Sequence, residues 1–309
     1  MDIGQGISIG GGVSVTPQPP PSYKAIFGFG NTGAGVQSMT NLVSITGVVA
    51  CDTTGVGTAR DGLAAATYGS DKAIFGYGAL AGPPFYGSMT NLVSNTGVMA
   101  TDTTGVGTGR IGLAAAGYGT DKAIFGYGSN GSGLVSMTNK VSNTGVVATD
   151  TTGVGTARDG LAAATYGSDK AIFGYGAGPT SITNLVSNTG VVATNTTGVG
   201  TARYGLAAAG YSTDKAIFGY GNNGTNNLSM TNLVSNTGVV ATDTTGVGTI
   251  RQYLAAAGYG ADTAIFGYGA GVGVQSMTNK VSNTGTVATD TAGVGTARYN
   301  LAAASYGLA

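Results

Sequence analysis

The chain has no histidine, no tryptophan and no glutamate, and only one cysteine, Cys51, in 309 residues. Each absence closes a class of chemistry. The commonest general acid–base residue is missing, and every carboxylate side chain is an aspartate. A transition-metal site would have to be built from oxygen donors alone. One thiol permits no disulfide framework, so cysteine usage leaves the redox compartment open. Cys51 also sits in a slot held elsewhere in the chain by Thr101, Thr149, Thr194, Thr242 and Thr289, which marks it as a structural substitution. Charge is scarce and balanced, 13 basic against 13 acidic residues, which gives no electrostatic basis for binding nucleic acid. No basic-plus-apolar leader and no membrane-length apolar run occurs, so neither a secretory signal nor a membrane span is expected.

What is present is glycine, 58 residues of it, beside abundant Thr and Val. That mixture makes poor helices and good strands and turns. A hydrophobic fraction of 42% separates the chain from disordered sequences. Its main feature is repetition. AIFGYG, or AIFGFG in the first copy, begins at Ala25, Ala73, Ala123, Ala171, Ala216 and Ala264, spacings of 48, 50, 48, 45 and 48. TNLVSNTGVVATDTTGVGTAR and LAAAGYG recur between these anchors with little change. A period in this range points to a propeller or a solenoid.

Each copy reads as four short strands, A to D. LAAAGYG is strand A, small enough for the crowded centre of a propeller. YGSDKA is a turn, and KAIFGYG is strand B, carrying Ile and Phe for packing. TNLVSN is strand C, SNTG a tight turn and GVVATDT strand D. TGVGTAR leads to the next strand A. The repeats open with strand B at 24–30 and close with strand A at 297–307. The expectation is therefore an all-β, six-bladed propeller over residues 23–309, four antiparallel strands per blade. The last inner strand joins the first blade and removes the sheet edges. Ahead of it, Ile3, Ile7, Ile9, Val13 and Val15 alternate with small residues before a Pro-rich spacer. Residues 1–22 are expected to be a docking arm that adds a strand to a partner.

The arrangement TGVGTARDGLAAATYGSDKAIFGYG resembles the kelch repeat, in which an Arg precedes the inner strand and an aliphatic-aromatic strand ends in a Gly doublet. Here Gly-Tyr-Gly replaces the doublet and the family's tryptophan is missing. The resemblance covers residues 24–309 and implies the fold, since propellers host many unrelated activities. Copper-radical oxidation, known in kelch-like propellers, lacks its ligands here. The near-identical tandem copies of TNLVSNTGVVATDTTGVGTAR and DKAIFGYG also resemble proteins of tailed bacteriophages, cyanophages in particular. That resemblance implies a virion structural protein.

Candidate chemical groups recur copy by copy. Arg60, Arg110, Arg158, Arg203, Arg251 and Arg298 recur in register behind Asp52, Asp102, Asp150, Asn195, Asp243 and Asp290. Their sameness in all six copies favours a structural bracket over a ligand site. GVGTAR joins two strands with no helix to receive a phosphate. One carboxylate per TDTTG turn is thin for calcium. No copy deviates toward the carboxylate pair of a glycosidase. No cofactor and no catalytic residue is expected.

The informative signal is what the copies do not share. After the constant Arg come Asp61, Ile111, Asp159, Tyr204, Gln252 and Tyr299, and the B–C loops differ in length and content. Eleven of sixteen tyrosines occupy repeat slots. Tyr204, Tyr253 and Tyr299 instead begin a strand A, and Tyr86 lies beside Phe85 in the longest B–C loop. Tyrosine suits recognition surfaces. In an antiparallel blade both sets of variable positions emerge at one end, which is read as a binding face. The functional expectation is a non-enzymatic virion-surface propeller. Residues 1–22 would hold it to another virion protein, and the variable face would meet a host glycan or protein. The alternatives are a glycan-binding, lectin-type propeller of bacterial origin, extracellular or on the cell surface, and a glycoside-active enzyme.

Overall fold

The computed structural model describes residues 24–307, in which strands and turns occur and no helix. The chain runs through β1 (Lys24–Gly28), β2 (Thr40–Val43) and the two-residue β3 (Arg60–Asp61). Four triplets of strands follow, beginning with β4 (Ala64–Tyr68), β5 (Lys72–Leu80) and β6 (Tyr86–Val93), then β7 (Ala114–Tyr118), β8 (Lys122–Gly126) and β9 (Thr138–Val141). Next are β10 (Ala162–Tyr166), β11 (Lys170–Gly176) and β12 (Thr180–Val186), then β13 (Ala207–Tyr211), β14 (Lys215–Gly219) and β15 (Thr231–Val234). A fifth triplet, β16 (Ala255–Tyr259), β17 (Thr263–Gly271) and β18 (Gly273–Val281), precedes β19 (Ala302–Tyr306). Each triplet is one antiparallel sheet, and the sixth sheet is β19-β1-β2. There the last strand pairs with the first, Lys24 opposite Tyr306 and Gly28 opposite Ala302. The molecule is a six-bladed propeller whose first blade is completed by the last inner strand.

The fourth segment of each blade is less regular than its sequence suggests. It meets the third strand through two bridges, Val43 with Val49 and Thr40 with Thr53 in the first blade, and through their equivalents elsewhere. Between these bridges Ala50 N still donates to Leu42 O at 2.8 Å, but a buried asparagine takes the carbonyl side. Asn41 Nδ2 donates to Ala50 O at 3.0 Å and to Asp52 Oδ1 at 2.9 Å, so a side-chain amide stands where ladder bonds would run.

Apolar packing lies between blades rather than within them. One cluster joins Ile74 and Tyr77 of the second blade to Leu113, Ala123 and Phe125 of the third. Gly76 explains part of the Gly-Tyr-Gly signature, because an added Cβ there would lie 2.9 Å from Phe125 Cζ. The pairing of β5 with β6 shifts register between Gly76 and Gly78, a bulge. It puts Tyr77 at φ 67° and turns its ring onto Phe125, centroids 5.1 Å apart. The Tyr77 hydroxyl donates to Val106 O at 3.1 Å. Phe29 and Tyr127, Tyr175, Tyr220 and Tyr268 take the same left-handed conformation, with φ between 63° and 66°. Strain of this kind persists where the surroundings over-determine it.

At the axis the blades are joined by a closed circle of backbone hydrogen bonds. Gly62 N donates to Asn300 O, Gly112 to Gly62, Gly160 to Gly112, Gly205 to Gly160, Tyr253 to Gly205 and Asn300 to Tyr253, all at 2.6–2.9 Å. All six residues have φ between 54° and 62°. Four of the positions are glycine, which takes this conformation at no steric cost.

Candidate functional site

The recurrent arginines are fully or almost fully buried, each at 0–1% exposure. Arg60 leaves the linker between the first and second blades and works on both. Its guanidinium stacks 4.3 Å from the centre of the Phe29 ring in the first blade. In the second, Nε donates to Tyr77 O at 2.8 Å and Nη2 to Asn91 Oδ1 at 2.5 Å. Nη1 bonds Thr58 O at 3.0 Å and lies 3.6 Å from Asp102 Oδ1. That last separation is an ion pair rather than a hydrogen bond. Burial pulls the Arg60 guanidinium down to about 10 against the opposing charge of Asp102. Asp102 is raised by burial, but donors from Thr58 and Asn91 and the Arg60 charge outweigh this and hold it below the usual aspartate value. The partner carboxylate thus belongs to the next blade's fourth segment, not to the Asp that precedes the Arg in sequence. In the fourth blade Asn195 replaces the acid, accepting from Thr156 N at 3.1 Å and donating to Thr156 Oγ1 at 2.7 Å. These arginines offer no free donor to solvent. They bracket adjacent blades.

The variable positions come together at the opposite end of strand B from the lysine-bearing turns. Ile111 bridges Ser129, Tyr204 bridges Asn222, Gln252 bridges Ala270 and Tyr299 bridges Asn31. Asp61 pairs with Ala79, and Asp159 O accepts from Ala177 N at 2.7 Å. All six residues are therefore tied to the base of a B–C loop, and their side chains stand around the axial circle of hydrogen bonds. Ile111, Asp159, Tyr204 and Gln252 lean over the neighbouring blade's glycine. A Cβ on Gly112 would lie 3.0 Å from Asp159 Cβ, one on Gly160 3.4 Å from Tyr204 Cβ, and one on Gly205 3.1 Å from Tyr253 Cδ1. The glycines and the leucines that follow them floor a recess of about 100 Å³, with Tyr253 and Asn300 in its wall.

The ring of side chains is uneven. Tyr253 lies between Tyr204 and Tyr299, with centroids 6.2 and 6.5 Å apart, so three aromatic rings form one sector. Burial raises the Tyr253 hydroxyl, and the Asp159 charge adds to the effect. On either side of this sector, burial pushes both Asp61 and Asp159 above the usual carboxylate value. Asn31 Nδ2 donates to Asp61 Oδ2 at 3.2 Å, and Asn300 adds a second polar contact that partly offsets the rise. The Gln252 Oε1 atom is buried and has no hydrogen-bond partner among the described residues. Phe85 is 58% exposed, whereas Tyr86 is partly covered, and a Cβ on Gly131 of the next loop would strike its ring. Ile3, Ile7, Ile9, Val13 and Val15 lie outside the described residues.

Several residues of this end escaped the sequence reading. Leu134, Ile250 and Val272 stand on it at 47%, 49% and 97% exposure, and Asn300 supports Asp61. Lone apolar residues in glycine-rich loops carry no periodic signal. The buried asparagines Asn41, Asn91, Asn139, Asn184, Asn232 and Asn279 were also missed, though an amide kept in every copy of TNLV or TNKV was visible. Among the described residues no three metal-ligating side chains converge. No protein-family model matches the chain, and no curated protein matches it.

Proposed function

We propose that the chain is a non-catalytic recognition propeller that binds its partner through the end where the B–C loops surround the axial recess. One observation carries this reading. Six-fold repetition governs the core, the arginine brackets and the turn end, where Val48, Val98, Val146, Val191 and Val239 are exposed copy after copy, and it fails at this end, where Phe85 and a sector of three tyrosines stand without counterparts in the other blades. Loop positions released from the repeat are the ones that can be fitted to a particular partner. The constant Arg before each inner strand supports a kelch-like relationship, and the near-identical copies support a place on a tailed-phage virion, held by residues 1–22. A lectin reading is weaker, because the tyrosines form one sector instead of recurring in each blade.

The test is attachment of labelled protein to host cells. Tyr204→Ala with Tyr299→Ala is expected to weaken attachment by about 1–4 kcal/mol, while costing stability only the aromatic contacts to Tyr253, about 1 kcal/mol. Asn143→Ala, in the turn at the other end, is the control and should bind as the parent does. Normal attachment by the double variant with loss in the control would move the site to the opposite end.

A further inference from the structure

The two ends of the ring differ in charge. Five of the seven lysines open a strand B at the turn end, and Lys140 and Lys280 bond Thr189 O and Thr46 O in turns of that same end. All six arginines are buried. The variable end therefore shows no exposed cation among the described residues. It does hold Asp61 and Asp159, partly buried and without an ion pair among the described residues. Both flank Ile111 in ring order; Asp159 stands over Gly112 of the recess floor, and Asp61 makes a polar contact with Asn300 of its wall.

The recess is also small. At about 100 Å³ it falls below the roughly 300–1,000 Å³ of sites that enclose a whole small ligand. It has room for the head of one side chain. On the loops and linkers of the same end, Phe85, Leu134, Ile250 and Val272 are exposed. A central charge within a fringe of apolar contacts that shed water is the arrangement of an interface hot spot.

We propose that this end docks a basic polypeptide surface, one lysine or arginine of the partner entering the recess beside Asp61, Asp159 and Tyr253 while the four exposed apolar residues pack around it. The proposal rests on the recognition reading above and adds the chemistry of the partner. An incoming cation gives both carboxylates the counter-charge that the fold withholds, and removal from water strengthens that attraction. An acidic surface would be repelled. A neutral glycan would leave the apolar fringe and both charges uncompensated.

The test uses short fluorescein-labelled peptides of alternating lysine and leucine, with glutamate–leucine and serine–leucine versions, titrated into the full chain. The lysine peptide should bind at least about tenfold more tightly than the others, a difference of about 1.4 kcal/mol, and weaken with added salt. Asp61→Asn with Asp159→Asn should remove most of that preference, whereas Asp121→Asn at the turn end should leave it intact. Asp159→Lys should shift preference toward the glutamate peptide. Lysine-peptide binding that survives the double Asn variant overturns the proposal, as does equal binding of all three peptides. Self-association lost in the double Asn variant would assign this end to the lysine-bearing end of a second copy and overturn a separate partner. If no peptide binds while Tyr204→Ala with Tyr299→Ala still lowers attachment, the basic-partner proposal fails and the recognition reading stands.

Discussion

At the scale of single residues, the fourth blade supplies an internal comparison. Five arginines face an aspartate at 3.6–3.9 Å, whereas Arg158 faces Asn195. Asn195→Asp should stabilise the protein by about 1 kcal/mol at neutral pH, the worth of one charge-assisted contact to a buried group. The sign with pH follows from the other five acids, all held below the ordinary aspartate value. A group with a lowered folded pKa contributes stability above its unfolded value, about 3.9, and loses it as pH falls through the folded one. Melting curves at pH 7 should separate the variant from its parent, and the separation should shrink as pH falls below the ordinary aspartate value of about 3.9. The axial circle gives a second case. Gly112→Val places a β-branched residue at φ 62° with its Cβ 3.0 Å from Asp159 Cβ, and should cost about 1–3 kcal/mol. Tyr253→Gly relieves a left-handed tyrosine of roughly 1 kcal/mol and gives up aromatic contacts of similar size. Its urea midpoint should therefore barely move. Equal midpoints for Gly112→Val and the parent would show that the circle tolerates side chains.

At the scale of elements, the strand that closes the ring is the critical one. Removing β19 strips β1 of its inner neighbour and takes Ala302, Ala304 and Tyr306 out of the cluster that holds Phe75 and Val93 of the second blade. Deletion of Ala302–Gly307 should abolish the cooperative transition or drive aggregation from the two exposed edges. A truncated protein with the parent's melting curve and a monomeric elution volume would refute closure. Legibility in the sequence differed from element to element. Strands A, B and C could be read because alanine, Ile-Phe and Leu-Val segments recur at one period, and period is what strand reasoning uses. The fourth segment looked like a strand because Val-Val-Ala-Thr is rich in β-branched residues. Its ladder is broken by Asn41 and its equivalents, whose role depends on an arginine from the previous linker. The bulge at Tyr77 was written as Gly-Tyr-Gly, but propensity gives no hint that tyrosine would accept φ 67° there. The end bearing the variable residues was foreseeable from antiparallel geometry. The recess and the position of Asn300 were not, because they arise only when six blades meet.

At the scale of the whole molecule, a neutral chain hides a polarity: lysines outnumber the aspartates of the same turns at one end, and partly buried carboxylates stand without cations at the other. The axial circle of hydrogen bonds governs how that polarity is felt. In a helix, aligned peptide groups leave a positive and a negative terminus, so the backbone itself attracts ions. Here six N–H to O=C steps run around the axis and the last returns to the first. Tangential dipoles arranged head to tail in a closed loop sum to nearly nothing, and no terminus is left over to carry a partial charge. The circle itself adds almost nothing to the field at the mouth. The charge an approaching molecule meets there is carried by the side chains of Asp61 and Asp159. A single substitution among them can redraw the field without disturbing the scaffold that presents it.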